Sequence, residues 1–275
     1  MHRRDCEMNR IKCIARVRPL VEKEVEDEIC LSVDGSTISL LDAHTNAKPR
    51  TFRLDGCLND VEQQEVFDHV IPHLESTLEG GMNSSIFCCG ATGTGKTLTS
   101  LGYDVWTLAA LTSSKRGGSP RQPHIPSTHE IIDMMRDNPE DAGVIPRAMQ
   151  WMLDKKETLA SMGKVSLFVS YVEVHNETVK DLLQSEDGKP ADLYMNTSIP
   201  RVSPRYHEKK GHITIKQSST GVTMLSGAEE VEVLDMDEVY SLLWEGAKAR
   251  ANTATTNMHS YSARSHTVFI VKARV

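Results

Sequence analysis

Aromatic residues make up only 5% of this 275-residue chain. A core built from it must rest on aliphatic and methionine side chains. No two of the six cysteines, Cys6, Cys13, Cys30, Cys57, Cys88 and Cys89, have C-x-x-C spacing. Zinc ribbons and dithiol redox motifs are therefore without support, and adjacent Cys88 and Cys89 make a poor disulfide pair. No run of about 18 apolar residues is present, so no membrane span is expected. The charged start, Met1–Arg10, leads into no apolar stretch, so no secretory leader is expected either. Those absences together point to the reducing cytoplasm. Positive charge is the minority sign, with Lys+Arg 31 against Asp+Glu 38 and a net charge of −7. That balance argues against a nucleic-acid-coating protein. No G-x-S-x-G elbow occurs, which leaves a serine hydrolase triad without a signal.

What is present reads as an ordinary globular chain, 39% hydrophobic and 25% charged. Ile11, Cys13, Ala15 and Val17 share one face of an alternating run that Pro19 ends, which is a strand pattern. Residues 21–50 are polar and turn-rich, with a β-like piece at Thr37–Leu41. Across Asp60–Glu79, Val66, Phe67, Val70, Leu74 and Leu78 recur at helical spacing before Gly80 and Gly81. Pro72 inside that run predicts a kink or two shorter helices. Ser84–Cys89 is a short apolar strand, expected to be buried because Ile86, Phe87 and Cys88 leave no polar face.

Farther on, residues 112–143 form a low-hydrophobicity insert with one short helix near Glu130–Arg136. Ile145–Leu159 is an amphipathic helix with Pro146 in its first turn, and Met149, Met152 and Met162 suit core positions. Lys164–Val174 is the clearest strand, residues 185–210 are a second loop-like insert, and His212–Lys216 and Val222–Val233 read as strands. Asp235–Arg250 is a helix with Asp235 as N-cap and Glu238 three residues on. Thr267–Val275 closes the sequence as a β-branched strand. Alternating strands and helices give an α/β class.

The chemistry sits at Gly90-Ala91-Thr92-Gly93-Thr94-Gly95-Lys96-Thr97, which fits G-x-x-x-x-G-K-[ST] between a strand and a helix-compatible stretch. Glycines let backbone N–H groups converge on phosphate oxygens, and the start of the helix adds partial positive charge. Lys96 then suits the β- and γ-phosphates, and the Thr97 hydroxyl suits Mg²⁺.

Around this loop the chain resembles the kinesin motor family. Ile11–Leu20 is similar to the first strand with its R-x-R-P motif, here Arg16, Arg18 and Pro19. Phe52–Asp55 with Gln64–Phe67 resembles the stretch before the phosphate-loop strand, and Gly143–Arg147 resembles G-x-I-P-R. Ser170–Glu177, continuing to Asp181-Leu182-Leu183, is similar to S-Y-x-E-I-Y-N-E…D-L-L, although by themselves Glu173 and Glu177 read as ordinary turn carboxylates. Asn257–His266 resembles switch I, N-x-x-S-S-R-S-H. The resemblance implies an α/β P-loop NTPase with a central sheet flanked by helices, a tail at residues 1–10, and a partial motor domain at 11–275. It implies a microtubule-based motor that binds and hydrolyses Mg-ATP, with tubulin as partner and the cytoplasmic cytoskeleton as location. Carried over residue by residue, Lys96, Ser262 and Arg264 are catalytic. Arg16, Arg18, Pro19, Gly90, Ala91, Thr92, Gly93, Thr94, Gly95, Lys96, Thr97 and Leu98 contact nucleotide, with the R-x-R-P segment beside the adenine. Thr97, and Ser262 through water, serve Mg²⁺.

Departures from the family pattern bear on turnover. His259 replaces the switch asparagine, Ala263 replaces the second serine, Ala91 replaces a common glutamine, and Leu98 replaces an aromatic or histidine. No D-x-x-G-x-E switch II follows Thr267–Val275, so an incomplete motor is expected, with Ser84–Cys89 lacking both sheet neighbours. The alternative reading is a non-catalytic nucleotide- or microtubule-binding module. Arg201, Arg205, Lys209 and Lys210 form a basic cluster that suits either a solvated insert or an acidic tubulin surface.

Overall fold

Alternation of apolar and polar residues builds the first of two units, Met1–His69. The computed structural model describes residues 11–20, 24, 30–41, 48–103, 127–159, 165–184, 213–219, 221, 223–253 and 265–274. This unit holds β1 (Ile14–Val17), β2 (Leu31–Asp34), β3 (Thr37–Leu40), β4 (Arg50–Arg53), β5 (Gly56–Asn59) and α1 (Gln63–Asp68). β2, β3 and β4 form an antiparallel meander in that order. Its register puts Val33, Ile38 and Phe52 on one face and Asp34, Thr37 and Arg53 on the other. β1 pairs in parallel with β5. It begins later than the alternation predicts, because the Asp55 carboxylate takes the Cys13 N–H at 2.8 Å and Ile11 stays exposed.

The long helical pattern is divided as Pro72 requires. α1 ends at Asp68, and α2 (Ile71–Leu78) starts afresh with the proline in its first turn. There the missing N–H is harmless, whereas inside a continuous helix the ring would strike the carbonyl four residues back.

The second unit, Val70–Val275, is organised by β6 (Ser166–His175). With α2 it contains α3 (Lys96–Ser100), α4 (Thr128–Asp137), α5 (Val144–Leu159), β7 (Thr178–Asp181), β8 (Thr214–Gln217), β9 (Thr223–Ser226), β10 (Val231–Val233), α6 (Met236–Thr253) and β11 (Ser265–Arg274). β6 runs antiparallel to β10 on one side and to β11 on the other, and β7 folds back from it. β11 follows β6 along its whole length, from Ser265↔His175 to Arg274↔Ser166. Leu167, Val169, Tyr171, Val172 and Glu173 are all buried, so the middle of β6 is covered on both faces rather than alternating inside and out. The predicted strand at 222–233 is two strands, because Gly227 turns the chain with φ +95°.

Side-chain caps set the helix starts. Ser127 Oγ accepts from Glu130 N at 3.3 Å while Glu130 Oε2 accepts from Ser127 N at 2.6 Å, a reciprocal pair that starts α4. At α6, Asp235 Oδ1 accepts from Glu238 N at 3.0 Å and Glu238 Oε2 accepts from Leu234 N at 2.8 Å. α4 and α6 bury a shared cluster of Ile131, Met135, Tyr240 and Trp244. The short helix expected in the first insert is therefore a packed element. Met149 and Met152 lie in the core as expected, and Met162, the second insert and the basic cluster at 201–210 fall outside the described residues.

Two expectations for one segment part company: Ser84–Cys89 lacks sheet neighbours among the described strands, as expected, and it is not buried. Ile86 and Phe87 are 45% and 82% exposed. An apolar segment needs neighbours on both sides to be buried, and none of the described strands lies beside it. Cys89, at the end of the same segment, is exposed too.

Candidate functional site

Glycine placement shapes the loop Gly90–Thr97. Gly93 and Gly95 adopt φ +81° and +91°, values that suit glycine, and a Cβ at either would meet nothing within 4 Å. Their conformational freedom, rather than a packing constraint, is what the loop uses. Gly90 differs: a Cβ there would fall 2.4 Å from Thr94 Oγ1. Thr94 Oγ1 in turn donates to Ala91 O at 2.8 Å. Lys96 Nζ reaches back to the carbonyl oxygens of Gly90 and Ala91 at 2.9 and 2.7 Å. The loop thus closes on its own carbonyls, and the lysine charge lies over its first turn.

Neighbouring elements fix the two ends. Before the loop, Ser84 Oγ donates to His73 O at 3.0 Å and Thr77 Oγ1 donates to Ser84 Oγ at 2.8 Å, tying the chain to α2. After it, Thr99 N, Leu101 N and Gly102 N donate to the carbonyls of Gly95, Thr97 and Leu98 at 2.8, 2.8 and 2.9 Å. The backbone then crosses Gly143, whose N–H donates to Leu101 O at 3.1 Å. A Cβ at Gly102 would lie 1.9 Å from Asp141 O, so two glycines permit this contact. Tyr103 is anchored beyond it, donating to Met135 O at 2.9 Å and meeting Tyr240 edge-on with centroids 6.4 Å apart.

Gly90, Ala91, Thr92, Gly93, Thr94, Gly95, Lys96, Thr97 and Leu98 therefore form one contiguous loop and helix start. Thr97 is exposed on the first turn of α3, and Leu98 is half exposed. In the first unit, Arg16 Nη1 donates to Gln63 Oε1 at 2.9 Å, and Arg18 Nη2 donates to both oxygens of Glu24 at 2.7 and 2.8 Å. That contact raises the Arg18 pKa. Pro19 accepts from Arg18 Nη1 at 2.9 Å. Ser262 and Arg264 lie outside the described residues.

A second polar cluster went unannounced in the sequence. Glu173 is no turn residue: it lies within β6, 1% exposed. Arg250 of α6 donates from Nε to Glu173 Oε1 at 3.0 Å and from Nη2 to Ser265 Oγ at 2.9 Å. Beside it Tyr171 is buried, and desolvation pushes its phenol pKa up. The available signal was spacing. Gly246 and Arg250 are i,i+4 on a helix, about 6 Å apart along its axis. Tyr171 and Glu173 are i,i+2 on a strand, about 6.6 Å apart. The two repeats match. Glu177 does occupy the β6–β7 turn, at φ +65°.

Among the described residues, no helix is long and apolar enough to cross a membrane. The kinesin motor domain model matches residues 16–274. The chain is 31% identical over 270 residues to the kinesin-like protein KIF15 of Homo sapiens, covering 95% of this chain and 16% of that protein. To the kinesin-like protein KIN-5B of Oryza sativa it is 28% identical over 277 residues, covering 99% of this chain and 22% of that protein. The structure of a fast kinesin matches 97% of this chain and 60% of its own, with TM-score 0.69 and 23% identity.

Proposed function

The chain belongs to the kinesin motor domain family, and from that premise we propose that Gly90–Thr97 binds the phosphates of Mg-ATP in a microtubule-based motor of the cytoskeleton. The observation that carries this reading is the loop itself: glycines at positive φ and Lys96 folded over the carbonyls of Gly90 and Ala91. On binding, Lys96 exchanges those carbonyls for phosphate oxygens, a charge-assisted contact of greater strength. Backbone N–H groups of the loop orient the remaining oxygens. The exposed Thr97 hydroxyl is the hard oxygen donor that Mg²⁺ takes together with phosphate. Mg²⁺ supplies charge neutralisation as the anhydride is cleaved. Ser262 and Arg264 are assigned to the hydrolytic machinery, and Arg16, Arg18 and Pro19 to the adenine, on the sequence resemblance alone.

Ala263 and His259, in place of a serine and an asparagine, favour a second reading in which nucleotide binds without turnover. Steady-state phosphate release by the purified chain, with and without polymerised tubulin, separates the two. Release that tubulin stimulates and Lys96→Ala abolishes supports the motor reading. Tubulin binding with no release supports the non-catalytic module. Release equal in the wild type and Lys96→Ala overturns the site.

A further inference from the structure

We propose that Gly102 and Gly143 are positioning residues: the contact between their backbones sets where α3 lies, and so where Lys96 meets nucleotide. This rests on the nucleotide reading above and deepens it, because neither glycine belongs to the loop assigned to phosphate.

α3 has little of its own to hold it. None of its five residues is buried. Ser84–Cys89, the segment that leads into the loop, joins no ladder among the described strands. A helix usually keeps its place through an apolar face packed on a neighbour. Here burial starts only past the helix end, at Leu101, Gly102 and Tyr103. The contact at that point is made by main chain. Gly143 N donates to Leu101 O at 3.1 Å. A Cβ on Gly143 would fall 2.5 Å from Gly102 N, 2.6 Å from Leu101 C and 2.7 Å from Ser100 C. A Cβ on Gly102, where φ is +80°, would fall 1.9 Å from Asp141 O and 2.4 Å from Gly143 N. Backbone atoms do not swing aside as the end of a side chain does, so the crossing closes only without either Cβ.

The other side of the crossing is anchored. Gly143 leads directly into α5, whose Met149, Met152 and Leu153 lie in the core. Arg147 of α5 helps to hold the turn before Gly143, donating from Nε to Ala142 O at 2.7 Å and from Nη2 to Pro139 O and Glu140 O at 3.1 and 3.0 Å. On the α3 side, Leu101 N and Gly102 N donate to Thr97 O and Leu98 O. A shift of Leu101 or Gly102 therefore carries the first turn of α3, and Lys96 with it. Hydrogen bonds weaken steeply as they leave their preferred geometry, so a displaced Lys96 loses part of its charged contact with phosphate.

The test measures affinity for a fluorescent ATP analogue with Mg²⁺ in four proteins: wild type, Gly143→Ala, Lys96→Ala and the double variant. The expected result is binding about tenfold weaker for Gly143→Ala against the wild type. In the Lys96→Ala background the same substitution should change affinity by about threefold or less, because it acts by misplacing the lysine. A loss of folded protein would weaken binding by the same factor in both backgrounds, so equal factors overturn the positioning role, as does unchanged affinity. Should Gly143→Ala fail to fold, amide exchange in the wild type decides. Exchange at Gly143 is expected to slow about tenfold with nucleotide at about ten times its dissociation constant, with the β8–β9 hairpin unaffected. Exchange at Gly143 that nucleotide leaves unchanged overturns the role. A wild type that binds no nucleotide overturns the site reading and this role together. A wild type that binds, with Gly143→Ala binding equally well, overturns the role alone.

Discussion

The ring of Tyr171 leaves no room for a side chain at Gly246: a Cβ there would lie 2.3 Å from both Cδ1 and Cε1 of the ring. Glycine inside a helix ordinarily costs about 1 kcal/mol against alanine. Here it lets α6 lie flat on β6, where Tyr171 also meets Phe269 edge-on at 5.4 Å. Gly246→Ala is therefore expected to lower unfolding stability by about 1–3 kcal/mol, the range for overpacking a rigid site. Chemical denaturation checks this, and a stabilised variant would show that the ring yields.

Asp181 carries a pH signature. Its two carboxylate oxygens accept from Leu183 N at 2.8 Å and Glu229 N at 2.7 Å. Burial outweighs those bonds and raises its pKa above the ordinary 3.8. The folded state then holds the proton more tightly than the unfolded one. Its contribution to stability is fully present below the unfolded value and is lost as pH rises through the folded value. Stability of the wild type relative to Asp181→Asn should accordingly decline over the window that opens at the ordinary value of 3.8 and extends above it. The amide itself adds an offset that does not vary with pH. A flat difference across that window would contradict the burial effect.

Phe87 and Ile86 present apolar surface beside a backbone that joins no described ladder. A polypeptide of residues 1–275 should bind a hydrophobic dye and self-associate, as exposed apolar edges do. The double substitution Ile86→Ser and Phe87→Ser should reduce both without lowering the thermal midpoint. Undiminished dye binding would place the exposed surface elsewhere.

Much of this molecule was legible from local rules. Periodicity located α5, α6, β6 and β11, and Pro72 foretold the break between α1 and α2. The turn at Gly90–Thr97 was legible as a turn because its glycines fall where the backbone takes positive φ, at Gly93 and Gly95. For Ser84–Cys89 the lack of sheet neighbours was legible and the exposure was not, because apolar composition records what a strand needs around it rather than what surrounds it. Glu173 was misjudged because its burial depends on Arg250, which lies 77 residues away in sequence. Such a pairing has no local signature beyond two matching repeats on separate elements. The first insert was undervalued for a related reason: the face of α4 carrying Ile131 and Met135 is short, and its partner Trp244 lies in α6.

The most direct test of the phosphate-loop assignment is an equilibrium titration of the chain with a fluorescent ATP analogue and Mg²⁺, in the wild type and in Lys96→Ala. Lys96 is placed within reach of the loop carbonyls of Gly90 and Ala91 and is expected to exchange them for phosphate. Losing a charged hydrogen bond of about 1.5–3 kcal/mol should weaken binding about tenfold to a hundredfold. Equal affinity in the two proteins would contradict the account.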